Sequence, residues 1–116
     1  MSAAIIFATE PLATASAVPI QPERLLREIS RIVDARTLIA ADASYITGWA
    51  LSHVRNVAQG CTFISPRGTG GLGWGLPAAI GAKLADPART VICLTGDGGF
   101  GYVMNELETA ARYRAK

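Results

Sequence analysis

Three short apolar runs, at residues 37–41, 62–65 and 91–95, each stop at glycine or small polar residues and give way to a helical pattern. The first, Thr37-Leu38-Ile39-Ala40-Ala41, ends at Asp42-Ala43-Ser44 ahead of a helix over 46–54, with Trp49 and Leu51 as expected core contacts. A weaker second run, Thr62-Phe63-Ile64-Ser65, leads through a glycine-rich stretch into a helix over about 76–84. Val91-Ile92-Cys93-Leu94-Thr95 carries β-branched residues, reads as a buried strand, and precedes Gly96 and a helix over 102–113. Strands alternating with helices, with glycines at the strand ends, predict an α/β fold. The sheet is parallel, the layers are three, and both glycine loops sit at its carboxyl edge, where such sheets collect ligands.

Ahead of the first strand, Pro22 opens a helix from its favoured first-turn position. Leu25, Leu26, Ile29, Ile32 and Val33 make its apolar stripe, while Glu23, Arg24, Arg27, Glu28 and Arg31 face away. Residues 1–20 show neither helical nor alternating period and carry Pro11 and Pro19, so they read as a linker or disordered tail. Residues 21–116 are then one partial domain. A helix that follows a parallel strand should cross over to another strand, and here the sequence stops at Lys116. The expectation is a fold incomplete at its C-terminus.

Half of the residues are hydrophobic and 17% are charged, which excludes a disordered chain. A net charge of +2, with arginines scattered and no basic block, argues against nucleic acid. No apolar run is long enough to span a bilayer, and the first residues lack the positive charges of a signal peptide. Cys61 and Cys93 have neither a C-x-x-C spacing nor a histidine nearby, so they read as small hydrophobes in a cytoplasmic protein.

The chemistry concentrates at Thr95-Gly96-Asp97-Gly98-Gly99-Phe100. A strand, a glycine turn and a helix start present free backbone N–H groups to an anion. Asp97 within that turn would repel a bare diphosphate. A divalent cation between the carboxylate and phosphate oxygens resolves the conflict, and Mg²⁺ favours one or two carboxylates plus substrate phosphates. The G-x-G-x-x-G spacing occurs twice, at Gly68, Gly70 and Gly73 and at Gly96, Gly98 and Gly101, which keeps a dinucleotide-binding oxidoreductase fragment open. Neither copy has a clear ribose-binding acid about 20 residues on.

Together with Asp42-Ala43-Ser44-Tyr45, the block from Gly70-Gly71-Leu72-Gly73-Trp74-Gly75-Leu76-Pro77 to Ala82, then Gly96-Asp97-Gly98-Gly99-Phe100 and Glu106-Leu107-Glu108-Thr109-Ala110, resembles the C-terminal pyrophosphate-binding domain of thiamine-diphosphate-dependent enzymes. The likeness is to the acetolactate synthase-like branch. It implies thiamine diphosphate and Mg²⁺ as cofactors, with Asp97 as a metal ligand and Gly96, Gly98 and Gly99 at the diphosphate. Ser44 and Tyr45 fall where this family makes further diphosphate contacts. Gly70, with Gly71 beside it, matches the residue whose carbonyl holds the exocyclic nitrogen of the aminopyrimidine. Leu72 matches the bulky apolar wedge that bends the cofactor.

His53 reads as a surface or core histidine, and Glu106 and Glu108 as capping or solvated residues. By the resemblance, further metal ligands and the glutamate that activates the cofactor would come from outside these residues. The expected function is therefore the cofactor-binding portion of a 2-keto acid decarboxylase or acetolactate synthase-like enzyme, inactive alone, with no catalytic residue of its own. A complementary chain or full-length homologue is the expected partner; a non-catalytic interaction module is the rival reading.

Overall fold

The computed structural model describes residues 16–54 and 60–116. The expected tail therefore lies mostly outside the described residues, and its described part, 16–20, contains neither helix nor strand. In chain order the elements are α1 (Pro22–Ile32), β1 (Thr37–Ala41), α2 (Tyr45–His53), β2 (Thr62–Ile64), α3 (Gly75–Ala85), β3 (Thr90–Leu94), α4 (Asp97–Val103) and α5 (Glu106–Arg112). The strands form one parallel sheet in the order β2-β1-β3, with Ile39 opposite Phe63 on one side and Ile92 on the other.

β1 is buried along its whole length because both of its faces are covered. Its side chains alternate across the sheet, as extended backbone requires. Ile39 and Ala41 join Leu94, Leu26 and Ile29 of α1 and Ala50 of α2 in one core. Leu38 and Ala40 meet Ala79 of α3 in the other. Helix, sheet and helix thus make three layers, as the alternation predicts. The small Ala40 and Ala79 let α3 sit close to the sheet.

Three helical expectations change. In α2 the buried side chains are Thr47, Ala50 and His53, whereas Trp49 and Leu51 are 38% and 61% exposed. A nine-residue helix that is apolar nearly all round has no stripe to mark its core face. In α1 only Leu26 and Ile29 are buried, and Leu25 and Ile32 stay exposed, since one sheet face covers a narrower arc than the apolar stripe. The helix expected over 102–113 is two helices: α4 starts inside the glycine run at Asp97, and the chain turns at Met104 and Asn105 before α5. Glycine's low helix propensity concealed that early start, which packing against α3 supports.

Arg89 binds the amino ends of the strands together. Its Nη2 donates to Thr62 Oγ1 at 2.5 Å and to the carbonyls of Thr37 and Gly60 at 3.4 and 3.3 Å. The carboxyl ends are left for the loops. β1 and β3 stay paired to Ala41 and Leu94, and the connections part there, because α2 leads from β1 to one side of the sheet and α3 returns the chain on the other. A crevice at such a switch point is where doubly wound sheets bind ligands.

Candidate functional site

At the carboxyl end of β1, Asp42 N–H donates to the Leu94 carbonyl at 2.8 Å, carrying the ladder one step past the strand. The next residues swing into α2, and the Thr47 hydroxyl closes the bend by donating to the Asp42 carbonyl. Ser44, at the helix start, has φ 82° and ψ −164°, a backbone conformation otherwise almost confined to glycine. Its hydroxyl makes no capping bond to the helix. Tyr45 and Trp49, one turn apart, place their ring centroids 6.2 Å from each other.

The Asp42 side chain is 1% exposed. Its Oδ1 accepts from the N–H groups of Ala43 at 2.8 Å, Trp74 at 3.1 Å and Gly75 at 3.3 Å. Oδ2 accepts from Gly73 N–H at 2.9 Å and the Thr95 hydroxyl at 3.2 Å. Burial pushes this carboxyl up, but the N–H donors of Gly73, Ala43 and Gly75 and the Thr95 hydroxyl outweigh it and hold Asp42 below the ordinary aspartate value.

Two glycines make this approach possible. A Cβ on Gly75 would lie 2.9 Å from Asp42 Cβ and 3.0 Å from its backbone nitrogen. One on Gly99 would fall on Asp42 Oδ2 and 3.1 Å from Thr95 Oγ1. The start of α3 and the first turn of α4 therefore both close on the end of β1, at the same edge of the sheet.

A cavity of about 500 Å³ opens beside this junction. Ile20, Leu25, Leu26, Ile46, Trp49 and Leu72 supply apolar wall, and Ser44, Tyr45 and residues 95–99 supply the polar side. Of the residues singled out from sequence, Ser44, Tyr45, Leu72, Gly96, Asp97, Gly98 and Gly99 thus line one space. Gly70 and Gly71 lie on the exposed arm of the same loop as Leu72, outside the lining, with Gly70 at φ +67°. Asp97 is exposed at the first position of α4, where the first-turn N–H groups have no intrahelical acceptor. The Phe100 N–H, bonded to Gly96 O at 2.9 Å, is the first to be satisfied within the turn.

Residues 42–116 match the thiamine pyrophosphate enzyme C-terminal TPP binding domain, well over half of the chain. The chain belongs to this family. Within it, the chain is 38% identical over 101 residues to a probable acetolactate synthase large subunit of Methanococcus aeolicus, covering 83% of this chain and 17% of that protein. It is 41% identical over 92 residues to the acetolactate synthase large subunit of Cyanidium caldarium, with 79% and 15% covered. A sulfoacetaldehyde acetyltransferase of Alcaligenes xylosoxydans xylosoxydans is 36% identical over 94 residues, with 81% and 15% covered. The chain thus spans about one sixth of the length of the curated relatives it matches.

In this TPP binding domain family member the other polar residues singled out from the sequence lie outside the cavity lining. His53 is buried at the end of α2 and is not part of the cavity lining. Thr109 donates to Glu106 at 2.8 Å, and Arg112 pairs with Glu108 at 2.6 Å on the surface. Cys61 and Cys93 are free and half-buried; burial, with the Asp42 charge adding to it, pushes the Cys93 thiol up to about 11. No described helix is long and apolar enough to cross a membrane. Sequence reasoning missed the part played by Asp42 and Thr95, since an aspartate after a strand looks like any turn residue. The available signal was a carboxylate at one strand end facing two glycine loops across the switch point.

Proposed function

We propose that residues 21–116 form the diphosphate- and metal-anchoring wall of a thiamine diphosphate site in a 2-keto acid decarboxylase or acetolactate synthase-like enzyme. The observation that carries this reading is Asp97, set at the head of a glycine turn and on the rim of the same cavity as Leu72. The donor set fits the group. Glycine N–H groups at 98 and 99 suit phosphate oxygens, the Asp97 carboxylate suits Mg²⁺, and the apolar wall suits aromatic rings.

Among the described residues no three His, Cys, Asp or Glu side chains gather to hold a metal. Asp97 would therefore share the ion with diphosphate oxygens and with ligands from elsewhere. Ser44 and Tyr45 would hold the diphosphate end, Gly70 with Gly71 would offer a carbonyl to the aminopyrimidine amine, and Leu72 would supply the apolar wedge between the rings. Bound thiamine diphosphate supplies a nucleophilic carbon and a sink for the electron pair left when CO₂ departs from a 2-keto acid. The chain's own residues anchor, shape and exclude water. Among the lining residues Asp97 and Tyr45 are the only titratable ones, and in this reading Asp97 would be taken up by the metal. Proton transfer thus falls to a complementary chain or full-length homologue across the cavity, and the chain by itself should not turn over. Two free thiols suit a reducing cytoplasm.

Titration calorimetry with thiamine diphosphate tests the assignment. Binding should require Mg²⁺, disappear in Asp97→Ala, and weaken in Asp97→Asn, which keeps an oxygen ligand but loses the charge. Equal affinity in wild type and Asp97→Ala would remove the metal role. Release of CO₂ from pyruvate by the chain alone would remove the anchoring-only reading.

A further inference from the structure

Five neutral donors converge on the buried carboxylate of Asp42, and they come from three separate stretches of chain. Ala43 is its neighbour, Gly73, Trp74 and Gly75 lie 31–33 residues away, and Thr95 lies 53 residues away. Gly99 seals the arrangement from α4, with no room for a side chain against Oδ2. An ionised carboxylate only accepts, and every group facing this one donates. An amide of the same shape would turn an N–H towards another N–H.

We propose that Asp42 is a positioning residue that latches the 70–75 loop to the 95–99 turn, so that a ligand spanning both meets them in one fixed relation. The latch stands on the geometry alone; its role in binding rests on the cofactor site proposed above. A ligand that touches only the turn gains little from it. One that reaches from the turn to Gly70 and Leu72 depends on it, because the entropy of fixing the loop is otherwise lost on binding.

Two measurements on the full chain decide the matter. Without ligand, amide hydrogen exchange at Gly73, Trp74 and Gly75 should be slow in wild type. In Asp42→Asn it should be about tenfold or more faster, the scale of one unsatisfied buried polar group, while Ile39 and Ile92 in the sheet stay protected. Gly99→Ala, whose methyl group displaces Oδ2 while the carboxylate remains, should speed the same three amides and serves if Asp42→Asn does not fold. Unchanged exchange at those amides in either folded variant overturns the latch.

The second measurement compares affinities for Mg²⁺-thiamine diphosphate and Mg²⁺-inorganic diphosphate by calorimetry. Asp42→Asn should weaken the first by about tenfold more than the second, since only the first spans loop and turn. A merely structural loss would weaken both alike, and that result, or no loss in either, overturns the positioning role. If wild type binds neither, the cofactor reading fails, and the exchange data still decide the latch.

Discussion

Replacing Ser44 with glycine should make this chain more stable, although it deletes a side chain at the edge of the candidate site. Ser44 holds φ 82° and ψ −164°, in a region that costs a residue with a Cβ about 1–3 kcal/mol. Glycine removes that cost but adds about 0.4–1 kcal/mol of unfolded-state entropy. The hydroxyl makes no capping bond, so its removal forfeits nothing further within the fold. The net gain is about 1 kcal/mol, which raises Tm by about 4–8 °C in a domain of this size. Thermal unfolding followed by circular dichroism, with urea midpoints as a second measure, reads it directly. Ser44→Ala is the control: it removes the same hydroxyl but keeps the Cβ, so it should stay near wild type. A glycine variant no more stable than the alanine variant would show that the backbone here is not strained. If the hydroxyl contacts diphosphate, both variants lose thiamine diphosphate affinity equally, by about tenfold for a bond to a charged acceptor.

Gly75→Ala should destabilise by about 1–3 kcal/mol, because its methyl group would meet the Asp42 backbone, which cannot give way as a side chain can. Gly81→Ala, in the same helix with nothing within 4 Å of the added carbon, should instead stabilise by about 0.5–1 kcal/mol in the same urea titration. Asp42, whose carboxyl is held below its ordinary value, should also steepen acid denaturation. The unfolded chain takes up this proton first, so the stabilisation is complete above about pH 5 and drains as pH falls through the native value. Asp42→Asn should therefore show a shallower fall in urea midpoint on acidification. The fall should persist in part, since Asp34, held down by the Thr37 hydroxyl, and Glu28, held down by Arg31, titrate in the same direction. An equally steep fall in the variant would mean that Asp42 is not the group responsible.

The order of elements and the location of the candidate site were legible in the sequence because both rest on short-range signals. β-branched runs and the glycines that end them mark strands and turns within a few residues. Alternation of strand and helix then allows only parallel pairing, with the loops at one edge. Residues 37–41 read as a strand and are β1, and the loops bearing Leu72 and Asp97 do meet beside one cavity.

Which side chains the fold covers was decided only by tertiary packing. Trp49 and Leu51 are as apolar as Ala50, yet the sheet covers Ala50, and a helix without a polar face does not declare which side that is. α4 begins among glycines that disfavour helix, because contact with α3 outweighs propensity. Asp42 is the clearest case. Its five donors stretch over 53 residues of chain, and no local pattern distinguishes a carboxylate that will gather them from one that will face water. Local sequence sets what each segment can become; the closing of β1, the 70–75 loop and the 95–99 turn on one another sets what this aspartate does.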